Sequence, residues 1–110
     1  MTNPTSLNTL DLIKKQLREH RVLLYMKGTP VLPQCGFSAK AAEALQATGV
    51  PFSFIDVLAE PEIRDILPKF ASWPTFPQLY VNGKLIGGCE IIVELFESGK
   101  LKAALLRKIK

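Results

Sequence analysis

The sequence is poor in the residues that build metal-rich and disulfide-rich proteins, with two cysteines and one histidine among 110 residues. Two cysteines cannot form a disulfide-dense scaffold. A lone histidine, His20, gives little support to a zinc finger or a Cys-His-Asp peptidase site. The longest apolar runs are of strand length and too short to span a bilayer, so we expect no membrane partner.

Targeting signals are also scarce at the N-terminus. The first residues contain no basic segment followed by an apolar core, and no arginine precedes Lys14, which argues against a secretory signal or a transit peptide. In a reducing compartment, two cysteines are more often free, metal-bound or redox-active than paired. We therefore expect a cytoplasmic protein.

The net charge of +4 is a property of one end of the chain. Residues 1–99 contain nine basic and ten acidic side chains, whereas the last eleven residues contain five basic side chains and no acidic one. A basic surface across the whole fold is therefore not expected, and neither is nucleic acid as a partner. We interpret the tail as an amphipathic helix with Leu101, Leu105 and Ile109 packed inward.

Hydrophobic periodicity predicts alternating helices and strands in a single domain over residues 1–110. Asn8 and Thr9 are candidate N-caps of the first helix. Pro61 suits a first helical position, and Pro68 predicts a kink or the end of that helix. The predicted elements are a helix ending near residue 19, a strand over 22–26, a helix over 37–48, a strand over 52–57, a helix from 61, a hairpin over 78–81 and 84–86, and helices over 90–98 and 101–110.

The hairpin contains the clearest local signal, since Asn82-Gly83 supplies the two positive φ angles of a type I′ turn. The first two strands and the helix between them predict a parallel crossover, to which the hairpin adds antiparallel strands. The order predicts an α/β thioredoxin-like fold, a four-stranded mixed sheet flanked by helices on both faces.

Cys35 is the first candidate for chemistry, because it lies in a loop after the first strand and precedes an alanine-rich helix. The free N–H groups and the dipole of a helix start favour a thiolate, and Lys27 adds a nearby positive charge. A buried free cysteine is the alternative. Ser38 stands where a Cys-x-x-Cys motif has its second thiol, and its ordinary role is to cap the helix.

Cys89 follows Gly87-Gly88 at the start of another helix, and two interpretations are open. It is either a second active-site thiol or a small core residue.

Two further features allow a functional and a structural interpretation. The segment from Trp73 to Pro77 directly precedes the hairpin, and a cis bond before Pro77 exposes the Phe76 backbone to an extended peptide; simple turn punctuation is the alternative. Arg64 lies on the polar side of its helix, where a solvated charge is the usual explanation.

These motifs together resemble the monothiol glutaredoxins of the single-domain Cys-Gly-Phe-Ser class. The resemblance rests on Lys27, the Cys35–Ser38 motif, Trp73–Pro77 and Gly87-Gly88-Cys89, and it extends from about residue 10 to residue 106. It implies a thioredoxin fold that binds glutathione, and a 2Fe-2S cluster shared by two subunits. One cysteine from each subunit and two glutathione thiols are the implied ligands.

The resemblance also implies a role for each matching residue. Cys35 is expected to ligate the cluster and to form mixed disulfides with glutathione. Lys27 and Arg64 are expected to pair with glutathione carboxylates, and Phe76, before the cis proline Pro77, to bind the cysteinyl backbone. Cys89 and Glu90 are expected to hold the γ-glutamyl end. Glu90 departs from the aspartate that the family usually has there and keeps a carboxylate on a longer arm.

Three functions follow from these observations. The first is a carrier that delivers a 2Fe-2S cluster to client proteins, with BolA-like proteins as partners implied by the resemblance. The second is a glutathione-dependent oxidoreductase that acts through Cys35, with Cys89 as a resolving thiol. The third is a binding module with an inactive site, recruited through its basic tail.

Overall fold

The computed structural model describes the backbone of residues 4–107 and the side chains of residues 8–107. Within this range the chain forms five helices and four strands. Their bounds, in chain order, are α1 (Pro4–Glu19), β1 (Val22–Met26), α2 (Gly36–Ala47), β2 (Ser53–Asp56), α3 (Pro61–Ala71), β3 (Gln78–Val81), β4 (Lys84–Gly87), α4 (Cys89–Glu97) and α5 (Leu101–Leu105).

The four strands form one mixed sheet in the order β2-β1-β3-β4. Strand β1 pairs with β2 in parallel and with β3 in antiparallel orientation, and β3 pairs with β4 in antiparallel orientation. Asn82 and Gly83 have φ angles of 52° and 77°, as a type I′ turn requires. The predicted thioredoxin-like sheet is confirmed.

Strand β1 lies at the centre of the core, and all five of its residues are buried. Leu24 packs in a cluster with residues of α2, α4 and α5. Leu23 and Tyr25 point to the opposite face and pack with Ile13 of α1 and Ile63 of α3. Because successive side chains of a strand point to opposite faces, a continuous apolar strand needs helices on both sides, and the sheet has them.

Helix α1 begins four residues before the predicted caps, so the assignment of Asn8 and Thr9 as N-caps was wrong. The helix begins at Pro4, a residue type favoured in a first turn because its missing N–H needs no partner there. Thr9 is buried, and its hydroxyl donates a 3.2 Å hydrogen bond to Oε2 of Glu62 on α3. The threonine therefore joins two helices instead of capping one.

Helix α3 continues through Pro68 to Ala71, so the prediction that it could end at the proline was wrong. Leu67 before the proline and Ala71 after it both pack in the cluster beneath the helix, and this packing holds the last turn in place. Ser72 then ends the helix in the left-handed conformation with φ 52°, and the Trp73 N–H bonds the Pro68 carbonyl at 3.0 Å.

The last helix is shorter than predicted, because α5 ends at Leu105. Leu101 and Leu105 are fully buried, as the amphipathic pattern predicts, whereas Ile109 lies outside the described residues. The guanidinium of Arg21, the residue directly before β1, donates a 2.6 Å hydrogen bond to the Leu105 carbonyl and so caps the end of α5. Across residues 4–107, no helix has the length and apolar character needed to cross a membrane.

Candidate functional site

A cavity of about 670 Å³ opens where β1 ends and where α2 and α4 begin. Its walls include all seven residues selected from the sequence, which are Lys27, Cys35, Arg64, Phe76, Pro77, Cys89 and Glu90. Residues from five separate parts of the chain therefore meet at one place. Their proximity is a structural fact, whereas their roles stay predictions.

Cys35 is the N-cap residue of α2, with extended backbone angles (φ −155°, ψ 137°) and a partly exposed side chain. The pKa of its thiol is lowered from the ordinary value of 9.0, chiefly by the hydrogen bond from the Ser38 N–H. The Phe37 N–H and the charge of Lys27 lower the pKa further, and partial burial opposes them. The free N–H groups of the helix start thus favour the thiolate, as the sequence predicts.

Ser38 does not cap α2, contrary to the expectation for a serine near a helix start. It lies inside the helix and is fully buried, and its Oγ accepts a 3.0 Å hydrogen bond from the Lys27 N–H. The hydroxyl therefore ties the end of β1 to the first turn of α2, and it also contributes to lowering the pKa of the Cys35 thiol.

The loop between β1 and α2 returns the chain to Lys27. Gly28 has φ 87°, and a Cβ there would stand 2.6 Å from both the Gln34 nitrogen and the Leu32 oxygen, so only glycine fits. The Gly28 N–H donates to Oδ1 of Asp56 at 2.9 Å, and the Gln34 N–H donates to the Lys27 carbonyl at 3.0 Å. These bonds fix Cys35 next to the end of β1.

Cys89 is the first residue of α4 and is partly buried, so it is not a fully enclosed core residue. Burial raises the pKa of its thiol, and the negative charges of Cys35 and Glu90 raise it further against the opposing effect of Lys40. Both cysteines are free thiols. The cavity thus contains one thiol whose pKa is lowered and one whose pKa is raised.

The Trp73–Phe76 segment forms another wall of the cavity, and the peptide bond between Phe76 and Pro77 is cis, as predicted. The backbone groups of Phe76 have no hydrogen-bond partner among residues 4–107. A ligand with an extended backbone can therefore pair with them.

Charged groups are part of the cavity lining. Arg64 lines it from α3 with its side chain 46% exposed, and its Nε lies 3.8 Å from Oδ1 of Asp65, whose side chain is 73% exposed. An exposed ion pair of this length contributes little to stability, which leaves the guanidinium available to an anion. Lys27 lines the cavity beside Cys35, and Glu90 adds an exposed carboxylate in the first turn of α4.

Several cavity residues had no role assigned from the sequence. They are Phe37, Pro68, Thr75, Gly88 and Ile91, together with the side chain of Trp73. The indole Nε1 of Trp73 is buried and has no partner within the described part of the chain. A Cβ on Gly88 would lie 3.2 Å from the Pro77 oxygen and 3.3 Å from that Nε1. The Gly-Gly pair before Cys89 could have indicated this close approach.

The side chains of residues 8–107 contain no group of three or more His, Cys, Asp or Glu residues arranged to hold a metal ion.

Comparison with known proteins identifies the family of the chain. A glutaredoxin family model matches residues 22–86. Glutaredoxin 4 of Haemophilus ducreyi is 57% identical over 99 residues, which are 90% of this chain and 92% of that protein. Glutaredoxin 4 of Escherichia coli K12 is 53% identical over 94 residues, which are 86% of this chain and 82% of that protein.

The chain belongs to the glutaredoxin family. It is a monothiol glutaredoxin, because serine occupies position 38, where a dithiol glutaredoxin has its second active-site cysteine. Among solved structures, reduced poplar apo GrxS14 is 41% identical with a TM-score of 0.74, covering 87% of this glutaredoxin and 88% of that chain. A buckwheat glutaredoxin–glutathione complex has a TM-score of 0.81 at 21% identity, covering 96% and 94%, and shows the shared fold.

Proposed function

We propose that this glutaredoxin binds glutathione and a 2Fe-2S cluster that bridges two subunits, and that it delivers the cluster to client proteins in iron–sulfur assembly and iron homeostasis. The observation that supports this most is the Cys35 thiol, whose pKa is lowered, in a cavity that the cationic side chains Lys27 and Arg64 also line. A thiolate of this kind is a ligand that iron–sulfur clusters prefer.

Glutathione suits the cavity chemically. It is a peptide with two carboxylates, and Lys27 and Arg64 are the cations that line the cavity. The unpartnered backbone of Phe76, next to Pro77, suits the cysteinyl backbone, and Cys89 with Glu90 suits the γ-glutamyl end. The buckwheat glutaredoxin, which shares this fold, was solved in complex with glutathione.

The cluster is the cargo in this proposal. Cys35 is the thiol of one chain that would hold it, and the residue composition fits, because a second Cys35 and two glutathione thiols complete four thiolates. Ser38 favours this use, since no second thiol in the motif can form a disulfide with Cys35.

The remaining parts of the proposal concern partners and compartment. We propose the reducing cytoplasm as the site of action, which suits two free cysteines. BolA-like proteins and iron–sulfur client proteins are the proposed partners, on the basis of the resemblance to single-domain monothiol glutaredoxins. Membranes and nucleic acids have no role in the proposal.

Anaerobic reconstitution with ferric iron, sulfide and glutathione tests the carrier function. We expect visible absorbance from the cluster and a native mass of two subunits in the presence of glutathione. The same mixture without glutathione, and the variant Cys35→Ser with glutathione, should stay colourless and monomeric. A wild-type protein that remains colourless and monomeric with glutathione would contradict the proposal.

The alternative function is that of a glutathione-dependent oxidoreductase, which the lowered pKa of Cys35 favours. The Cys35 thiolate attacks the glutathione sulfur of a mixed disulfide, a Cys35–glutathione disulfide forms, and the substrate leaves as a thiolate that takes up a proton. A second glutathione thiolate then attacks the glutathione sulfur on Cys35, which releases oxidised glutathione and restores the Cys35 thiolate.

Turnover of a glutathionylated substrate separates the two functions. Under the carrier proposal we expect slow turnover compared with a dithiol glutaredoxin in the same coupled assay. Turnover that matches the dithiol protein, together with no cluster binding, would favour the enzyme.

A further inference from the structure

The buried side-chain amide of Gln78 bonds the Trp73–Phe76 segment, which is one wall of the cavity. Gln78, the first residue of β3, is fully buried on the side of the sheet that faces α1 and α3. Its Nε2 donates hydrogen bonds to the carbonyl oxygens of Trp73 at 2.9 Å and of Thr75 at 3.2 Å. Both protons of the amide nitrogen are therefore used on the Trp73–Phe76 segment.

Tyr80 fixes the orientation of that amide. Its hydroxyl donates a 2.9 Å hydrogen bond to Oε1 of Gln78, and the ring is buried. Burial raises the pKa of Tyr80 to about 12, so the hydroxyl keeps its proton at neutral pH. Because the hydroxyl donates to Oε1, the amide nitrogen must face the two carbonyls.

The segment has few other attachments. It lies between the end of α3 and the start of β3, outside the ladders of the sheet, and its backbone is bound by the Trp73 N–H to the Pro68 carbonyl. Within the described residues, the amide of Gln78 is the only side chain that hydrogen bonds this backbone. The same segment presents Trp73, Thr75 and Phe76 to the cavity.

We propose that Gln78, oriented by Tyr80, is a positioning residue that holds the Trp73–Phe76 segment in the shape in which the Phe76 backbone receives a glutathione peptide. Neither side chain lines the cavity, so both act through the segment. The inference rests on the proposed glutathione binding for its ligand. The hold on the segment itself is independent of any ligand.

The chain contains a matched control for this network. The hydroxyl of Tyr25 donates a 2.8 Å hydrogen bond to Oε1 of Gln16, also in the core, and its ring meets that of Tyr80 edge to face at 5.6 Å. Gln16 is on α1 and does not reach the Trp73–Phe76 segment. Tyr25→Phe and Tyr80→Phe therefore each remove one buried hydroxyl from a tyrosine–glutamine pair, and only the second pair holds the cavity wall.

Two readouts test the proposal on the full chain. The first is acrylamide quenching of Trp73 fluorescence without ligand, which reports on the segment directly because Trp73 is the only tryptophan. The second is the equilibrium between the Cys35 thiol and oxidised glutathione. In that exchange a Cys35–glutathione disulfide forms, the disulfide of oxidised glutathione breaks, and the thiol proton leaves with reduced glutathione.

We expect Tyr80→Phe to increase quenching of Trp73 and to lower the exchange constant roughly 3- to 10-fold, the effect of about one hydrogen bond. Gln78→Met should show a larger change in both readouts, because two carbonyls lose their donor. Tyr25→Phe should lose as much thermal stability as Tyr80→Phe and leave both readouts within about twofold of wild type. That result would show that a general loss of stability does not cause the changes in Tyr80→Phe.

The proposal is overturned if Tyr80→Phe and Gln78→Met give the same quenching and exchange constant as Tyr25→Phe. A change in Gln78→Met alone would overturn the part given to Tyr80. If the wild-type protein forms no measurable Cys35–glutathione disulfide in this exchange, the proposed binding of glutathione fails. The quenching experiment, which uses no ligand, then still decides whether Gln78 holds the segment.

Discussion

At the scale of single residues, Cys35 and Cys89 show how position decides the chemistry of a thiol. Both precede or begin a helix and both line the same cavity. The pKa of Cys35 is lowered because helix N–H groups bond its sulfur, whereas the pKa of Cys89 is raised because burial outweighs the nearby Lys40. The sequence shows two cysteines near helix starts, and only the surroundings of each separate them.

This difference predicts selective alkylation. At pH 7 we expect iodoacetamide to modify Cys35 faster than Cys89, because the thiolate is the reactive form. Lowering the pH through the pKa of Cys35 should protonate its thiolate and slow its modification. Mass spectrometry of the two cysteine peptides over a pH series measures both rates. Equal rates for the two thiols at pH 7 would contradict the assignment.

Arg64 gives a second prediction at this scale. Replacing it in Arg64→Gln should weaken the Cys35–glutathione disulfide roughly 3- to 10-fold, because a charge-assisted bond to a carboxylate is lost. The loss should shrink in high salt, since the arginine is exposed. Arg18→Gln is the control, because Arg18 lies on α1 and lines a different cavity. Equal effects from both variants would argue against a specific contact.

At the scale of elements, the start of α4 approaches Trp73 and Pro77 so closely that a side chain at position 88 would be tightly packed. Gly88→Ala places a Cβ 3.2 Å from the Pro77 oxygen and 3.3 Å from Nε1 of Trp73. We expect it to destabilise the fold by about 1–3 kcal/mol, as overpacking does.

Gly36→Ala is the matched control for that change. Nothing lies within 4 Å of a Cβ at position 36, and the residue is helical, so the substitution should be neutral or stabilise by up to about 1 kcal/mol. Urea unfolding of both variants measures the two free energies. Similar values would mean that the approach at Gly88 relaxes freely.

The sequence predicted helices and strands correctly where the residue types of the segment itself determine its conformation. The apolar run of β1 and the Asn-Gly turn of the hairpin were found from the sequence, because burial on both faces and positive φ angles demand those residue types. The start of α1 at Pro4 was missed, although proline favours a first helical turn. The passage of α3 through Pro68 was missed because it depends on the packing of Leu67 and Ala71 beneath the helix, which no local pattern records.

At the scale of the whole molecule, the C-terminal helix is part of the core on one face of the sheet. Leu105→Ala should cost about 2–5 kcal/mol of unfolding free energy, because the side chain is fully buried with residues of β1, α2 and α4. Leu106, which is half exposed, is the control, and Leu106→Ala should stay within about 0.5 kcal/mol of wild type. Equal losses would show that the helix does not pack as described.

The sequence by itself determined the family of this protein and selected residues that line one cavity. Three short segments of the sequence allowed this, because each is recognised by residue type and spacing alone. They are Cys35–Ser38, Trp73–Pro77 and Gly87–Cys89. The tertiary structure decided what supports them. Ser38 bonds Lys27, and Gln78 with Tyr80 holds the Trp73–Phe76 segment, because side chains distant in sequence meet only when the sheet and helices have packed. It also decided that one of two similar cysteines is the acidic one, since burial and bonded N–H groups are properties of the folded chain.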